Sequence, residues 1–319
     1  MIGILTGPTA TGKTSLAIEL ALKQGNIEIV NADSILVYRG FDIGAAKPSS
    51  QEREKVPHHL IDVRNADEVF TAGEFKRSAE MAIQDIHARG KRALIVGGTG
   101  FYLKALLFGL WQAPAADLEV RKKLEQNTNE ELFTQLGIKD PVSASRIHSN
   151  DRYRLIRALE LIALTGKAPS QFQTEVSQKP DPRFQLWIID RTNDELHERI
   201  RMRTQELVER GIVDEFRTIQ QSYSESRALS SVGYAQVSHF INGQSPLGRK
   251  IKPGPDGLRD EIELATRQLV KRQRTYFRNL FQQLNSNPTP APPSAQWFNL
   301  EQDRSMLEVA FKSLYDSEQ

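Results

Sequence analysis

Gly7, Gly12, Lys13 and Thr14 stand in the string Gly-Pro-Thr-Ala-Thr-Gly-Lys-Thr at residues 7–14, which matches G-x-x-x-x-G-K-[ST]. These residue types at this spacing bind phosphate. Glycines at both ends let the backbone through Pro8, Thr9, Ala10 and Thr11 curl so that its amides face one anionic group. The N-terminus of a following helix adds its dipole to that field. Lys13 can reach terminal phosphate oxygens, and the Thr14 hydroxyl can hold Mg2+. The string specifies phosphates rather than ATP. A nucleotide hydrolase also wants a carboxylate closing a later strand to hold magnesium. The apolar run at 93–96 ends in Gly97-Gly98-Thr99-Gly100 with no carboxylate, and Asp190, after the run at 184–189, serves either as that ligand or as a helix cap.

A second candidate is Asp33, in Ile29-Val30-Asn31-Ala32-Asp33-Ser34 just beyond another apolar run. In a doubly wound sheet neighbouring strand ends converge on the ligand crevice, where Asp33 could accept a proton or orient a nucleophile. The alternative is that Asp33 or Ser34 caps a short helix at 35–38. Gly97 to Tyr102 reads as a tight strand-to-helix turn. Basic charge is segregated: Arg267, Lys271, Arg274 and Arg278 recur at intervals of four, three and four, on one helical face. Arg146, His148, Arg152, Arg154 and Arg157 form another cluster. Each run alone is consistent with a solvated face. Together, on a chain whose formal net charge is only +2, they favour a polyanionic partner.

The elements that must position these groups follow from hydrophobic period. Residues 2–5, 27–30, 93–96 and 184–189 read as buried strands; 15–23, 72–89 and 193–210 read as helices. Their alternation implies an α/β core with a mainly parallel sheet and crossover helices. Residues 114–182 carry only helical signals, closed by Lys179-Pro180-Asp181-Pro182. The expected organisation is a discontinuous core of 1–113 and 183–319 interrupted by a helical insertion of 114–182. Residues 286–293 read as a stiff proline-rich linker, and 297–314 as a last short strand and helix. With 319 residues, a second, smaller domain is expected. The absence of cysteine excludes disulfides, thiolate catalysis and cysteine-ligated zinc. No apolar stretch is long enough to span a bilayer, and a cytoplasmic location is expected.

Taken in order, these motifs resemble the tRNA dimethylallyltransferase (tRNA isopentenyltransferase) family of bacterial type, over nearly the whole chain. The block at 31–48, Asn-Ala-Asp-Ser-Ile-Leu-Val-Tyr-Arg-Gly-Phe-Asp-Ile-Gly-Ala-Ala-Lys-Pro, carries more of the likeness than the phosphate loop. Pro57-His58-His59-Leu60-Ile61-Asp62, Val96 to Tyr102, Arg146-Ile147-His148, Arg157-Ala158-Leu159-Glu160 and Lys271-Arg272-Gln273 are similar to its later motifs. The resemblance implies a P-loop NTPase-like core with helices on both faces of the sheet and an all-helical insertion that contacts tRNA. It implies transfer of a dimethylallyl group from dimethylallyl diphosphate to the exocyclic amine of the adenine 3′ of the anticodon, with Mg2+. Asp33 is then the group that accepts or orients the amine proton, and Thr99 its partner.

On the same basis residues 7–14 and Arg203, with Arg199 as a further candidate, hold the diphosphate, and Thr14 the metal. Asp33, Ser34, Ile35, Leu36, Thr99, Arg121, Tyr153, Arg154, Arg157, Arg267, Lys271 and Arg274 meet the tRNA anticodon stem-loop. Tyr153 departs from the glutamine common in the family, and Ala235 from a basic residue. A monomer is expected. Rival readings are an isopentenyltransferase acting on AMP or ATP, a P-loop kinase, and an RNA-binding module with a degenerate phosphate site.

Overall fold

In the computed structural model the described residues are 1–111, 113–172, 179–244, 251–286 and 295–316. Strand β1 (Ile2–Thr6) is buried along its whole length, the pattern of a strand covered on both faces. It leads through the phosphate loop into α1 (Lys13–Gln24), β2 (Ile27–Asn31), α2 (Ser50–Lys55), β3 (His58–His59), α3 (Ala72–Ala88), β4 (Arg92–Val96) and α4 (Gly100–Phe108). Five short helices follow: α5 (Leu118–Glu125), α6 (Asn129–Lys139), α7 (Pro141–Ala144), α8 (Arg152–Thr165) and α9 (Pro169–Phe172). The chain then forms β5 (Phe184–Asp190), α10 (Asn193–Glu209), α11 (Ile212–Ser222), α12 (Tyr234–Ile241), α13 (Gly254–Asn285), β6 (Ala295–Asn299) and α14 (Arg304–Asp316).

The strands make one parallel sheet in the order β3-β2-β4-β1-β5-β6. From β1 the chain works toward one edge, and only after β4 does it cross to the other side. The crevice over the carboxyl end of β1 is therefore a topological switch point, where α/β sheets take their ligands. Leu5, Ile29, Leu94 and Trp187 join the core cluster filled by Leu16 and Leu20 of α1 and Phe311 and Leu314 of α14. Alternation leaves Ile4, Val30 and Ile95 for the opposite face, on the side of α3 with its buried Phe75, Ala79, Ile83 and Ile86. Each such fully buried side chain contributes about 1.5–3 kcal/mol. Thr71 opens α3 with a capping box shared with Glu74.

Backbone contacts divide the chain into one unit of Met1–Leu107 with Asp181–Gln319 and another of Phe108–Pro180. The smaller unit has its own core of Leu132, Leu136, Leu155, Ile156 and Leu159, between α6 and α8. β3 carries no strand pattern in the sequence; its two residues are extended because they pair with Ile29 and Val30 of β2. The helix considered at 35–38 does not form. Asp33 Oδ1 instead accepts the Ile35 N–H at 2.9 Å, closing a local turn, and Tyr38 bridges to Arg64. Of the proline-rich linker, Ser286 ends α13, and 287–293 lie outside the described residues.

Candidate active site

The phosphate loop connects β1 to α1 over the crevice. Gly7 is obligatory there: its φ is +154° and a Cβ would lie 2.1 Å from the Ile189 carbonyl oxygen, so the loop passes directly against β5. The loop's outward carbonyls are held by arginines. Arg199 Nε donates to Ala10 O at 2.7 Å, and Arg191 Nε to Thr11 O at 2.8 Å. With those carbonyls fixed outward, the loop's curl is set before any anion arrives. Lys13 Nζ meanwhile donates to Pro8 O at 2.8 Å.

A cavity of about 760 Å³ opens beside the loop, and its walls collect the groups that the sequence kept far apart. Gly12, Lys13 and Thr14 line it at one place, Arg199 and Arg203 of α10 at another, and Asp33 at the end of β2 faces the same space. Ile29, Leu36, Ile61 and Val96 add apolar wall. Burial pushes the Lys13 ammonium down to about pKa 8; the Asp33 carboxylate opposes that shift and the Arg203 guanidinium adds to it. Burial likewise lowers Arg203, again opposed first by Asp33. Two desolvated cations therefore share this cavity with the Asp33 carboxylate, Glu206 also lying close to Arg203, and an anion bound between the cations favours their charged forms.

Asp33 is held at the backbone by Asn31, whose Oδ1 accepts its N–H at 2.9 Å and whose Nδ2 donates to Asp33 O and Leu60 O. Thr99, on the turn after β4, accepts the Ser34 N–H at 2.9 Å and donates to the Ser34 hydroxyl at 3.2 Å. The Thr99 N–H donates to Ala32 O at 3.2 Å. The two catalytic candidates, 66 residues apart in the chain, are thus brought onto adjoining turns at the ends of neighbouring strands.

The basic clusters divide on inspection. Arg267 and Lys271 lie exposed on α13, Arg267 pairing with Glu263 one turn back at 3.2 Å. Arg274 does not belong with them. Its guanidinium forks onto Asp190 at 2.9 Å through both Nε and Nη2, and Nη2 also donates to Arg191 O. That pair bears on two expectations: the half-buried Arg274 guanidinium is committed to Asp190, and the Asp190 carboxylate is paired with a cation. Arg121 and Arg157 likewise converge on Glu160, which is fully buried and also accepts the Asp117 N–H. Burial pushes the Glu160 carboxyl up, and the hydrogen bonds from Arg121 and Arg157 outweigh it to hold the pKa below the usual range. Tyr153 is 62% exposed with Arg121 over its ring, Arg154 is exposed beside Asp151, and Arg146 and His148 are exposed as well. Arg152 is turned inward to Asn127 O and Glu125 O.

Sequence reasoning gave no role to Lys47 or Gln273. Lys47 is 3% exposed in the cavity wall, with Nζ 2.6 Å from Asp42 and also bonded to Asp62 and Tyr38 O. Glu215 caps the same loop, accepting the N–H groups of Asp42, Ile43 and Gly44 and the Tyr234 hydroxyl. A hint lay in Gly44-Ala45-Ala46-Lys47-Pro48 within the long motif, but Asp62 and Glu215 are partners only in three dimensions. Among the described residues no cluster of three or more His, Cys, Asp or Glu could hold a metal ion. Mg2+ needs no such cage: it keeps several waters and is bound through one or two protein oxygens plus substrate phosphates, so the Thr14 hydroxyl in the phosphate cavity fits it. No helix of the described residues is long and apolar enough to cross a membrane.

Comparison with known proteins gives the family. A family described as IPP transferase matches residues 36–280. The chain is 43% identical over 278 residues to tRNA dimethylallyltransferase 1 of Citrifermentans bemidjiense, covering 86% of this chain and 88% of that one. It is 40% identical over 318 residues to tRNA dimethylallyltransferase of Xanthomonas campestris pv. campestris, covering 95% and 91%. Among solved structures, the full-length tRNA isopentenylpyrophosphate transferase of Bacillus halodurans superposes with a TM-score of 0.65 at 30% identity, covering 99% and 97%. A eukaryotic dimethylallyltransferase acting on tRNA shares the fold with a TM-score of 0.81 at 24% identity, covering 100% of this chain and 80% of that one.

Proposed function

The chain belongs to the IPP transferase family, and we propose that it transfers a dimethylallyl group from dimethylallyl diphosphate to the exocyclic amine of the adenine just 3′ of the anticodon in tRNA. The observation that carries this reading is the shared cavity, with Lys13 and Arg203 at an anion subsite and Asp33 facing the same space.

In the reaction the allylic carbon–oxygen bond breaks, its electron pair leaves with the diphosphate, and the amine nitrogen donates the pair for the new carbon–nitrogen bond. Charge grows on the leaving oxygens, where the phosphate-loop amides, Lys13, Arg199 and Arg203 lie ready to stabilise it. The Thr14 hydroxyl would hold a magnesium ion, which would supply further neutralisation of the diphosphate. Ile29, Leu36, Ile61 and Val96 offer the five-carbon tail an apolar wall that also excludes water from a developing allylic cation. The adenine amine is a poor nucleophile, so orientation matters more than basicity, and Asp33 takes the proton released as the bond forms. Asp33 to Leu36 and Thr99 meet the extracted base, whose removal from the anticodon stack costs a few kcal/mol. Tyr153, Arg154, Arg267 and Lys271 offset that cost through the RNA backbone and by stacking.

Action as a monomer is part of the same reading, and a tRNA substrate supports a cytoplasmic location. Mass spectrometry of unmodified tRNA after incubation with protein, Mg2+ and dimethylallyl diphosphate tests the reading, with AMP assayed in parallel. Expected is a gain of one dimethylallyl group on the tRNA adenine and none on AMP. Transfer to AMP instead, or phosphate release from ATP without prenyl transfer, would replace it with a rival.

A further inference from the structure

The reacting groups sit on two separate turns, and something must set the distance between them. β1 and β4 pair as far as Leu5 and Val96, after which the Gly97 N–H reaches back to Leu5 O at 3.3 Å and the Thr6 hydroxyl donates to Gly97 O at 2.7 Å. Beyond those bonds the sheet gives no further link. The phosphate loop goes one way into α1 and the Gly97–Thr99 turn goes the other into α4. The next connection is a side chain from α13. Gln273 Oε1 accepts the Thr9 N–H at 2.8 Å, and Gln273 Nε2 donates to Gly98 O at 3.2 Å. One amide therefore holds both turns, at the residues Thr9 and Gly98.

One turn later on the same helix, Tyr276 bears on the far side of Thr99. A Cβ on Gly100 would lie 2.3 Å from the Tyr276 ring. Thr99 is thus bracketed on both sides by α13 side chains, Gln273 at Gly98 and Tyr276 at Gly100. Arg274, between them in sequence, pins α13 to Asp190 at the end of β5. The helix that offers Arg267 and Lys271 to solvent has its inner face committed to the carboxyl ends of the strands.

We infer that Gln273 is a positioning residue, a clasp whose amide fixes the spacing between the anion-holding loop and the Thr99 turn. It touches no reacting atom. A primary amide suits this post because it carries an acceptor and a donor on one rigid plane, so each partner is read by its complement. Shortening the side chain by one methylene keeps both groups and removes the reach. The inference rests on the prenyl-transfer reading for its kinetic half, and on the anion subsite alone for its binding half.

The test uses the full chain with Gln273→Met, which keeps length and packing but makes neither bond, and Gln273→Asn, which keeps the amide but not the span. Binding of inorganic pyrophosphate with Mg2+ is measured by calorimetry, alongside steady-state kinetics with tRNA and dimethylallyl diphosphate. Both variants should lower kcat about tenfold or more, since a misplacement of about an ångström costs up to about a hundredfold. Both should weaken pyrophosphate severalfold while the KM for tRNA and the melting temperature stay near wild type. Should Gln273→Met fail to fold, Gln273→Asn is read on the same scales. The clasp is overturned if a folded variant keeps kcat and pyrophosphate affinity within about twofold of wild type. It is equally overturned if asparagine restores what methionine loses, or if the tRNA KM alone moves. A wild-type protein that transfers no prenyl group would end the functional reading, yet weaker pyrophosphate binding by both variants would still support the clasp.

Discussion

Thr99 Oγ1 takes the Ser34 N–H at 2.9 Å and returns its own hydrogen to the Ser34 hydroxyl at 3.2 Å, so the turn after β4 is buttoned to the turn after β2 beside Asp33. With its hydroxyl hydrogen committed to Ser34, Thr99 would serve the proposed reaction by holding Asp33's neighbour still as well as by facing the base. Thr99→Ala should therefore lower kcat about five- to tenfold, the worth of one hydrogen bond near 1 kcal/mol. Thr99→Ser should recover most of that. A serine variant as slow as alanine would show that the methyl group, not the bond, is what matters.

Asp33 lines the cavity with Lys13 and is the carboxylate that most offsets the burial of Arg203. Asp33→Ala should lower turnover about a hundredfold or more, the usual cost of a lost proton acceptor, while tRNA still binds. Turnover near wild type, measured with saturating tRNA, would remove Asp33 from the chemistry.

Lys13 gives a pH signature. Burial pushes its pKa down to about 8, so the ammonium is complete below that value and is lost as pH rises through it. The kcat/KM for the diphosphate donor should fall about tenfold per pH unit above roughly pH 8, and Lys13→Arg, which stays charged, should flatten that limb. Stability runs the opposite way. The unfolded chain binds this proton more tightly, so the penalty of burying the ammonium is full below about pH 8 and is relieved as pH climbs toward the ordinary lysine range. A donor-capture profile flat through pH 9 would refute the assignment.

Arg274 and its helical neighbours should separate cleanly. Arg267→Ala with Lys271→Ala should weaken tRNA binding and reduce its salt slope by about 0.7–0.9 for each phosphate no longer neutralised, with an unchanged melting temperature. Arg274→Ala should instead destabilise the fold by about 1–3 kcal/mol, because Asp190 is left without its partner. Denaturant unfolding and salt-dependent binding read the two effects independently. A drop in salt slope for Arg274→Ala without loss of stability would return it to the RNA-facing surface.

Glu160 holds the helical insertion from inside. Glu160→Ala leaves Arg121 and Arg157 without their buried anion and should cost that unit about 3 kcal/mol or more. Hydrogen exchange in α6 and α8 is the direct measure. Protection equal to wild type would mean the pair is dispensable, freeing both arginines for RNA.

The sequence by itself determined the phosphate loop, the strand–helix alternation around it and the helical stretch that interrupts the core, because each is written in local spacing. Amide-cradling glycines, period-two and period-3.6 apolar patterns and proline punctuation all act within a few residues. It also marked Asp33 and Thr99 as candidates without showing that they meet. What tertiary structure alone decided was the partner of each charge. Arg274 reads as one of four equal cations on a helix face, yet Asp190, 84 residues away, claims it, and Glu160 claims Arg121 from 39 residues on. Gln273 stands in the string Lys271-Arg272-Gln273, yet nothing in its spacing assigns it a task. Its role exists because two strand ends diverge where α13 crosses them, and a hydrogen bond is a matter of ångströms in space, which residue spacing along a folded chain does not encode.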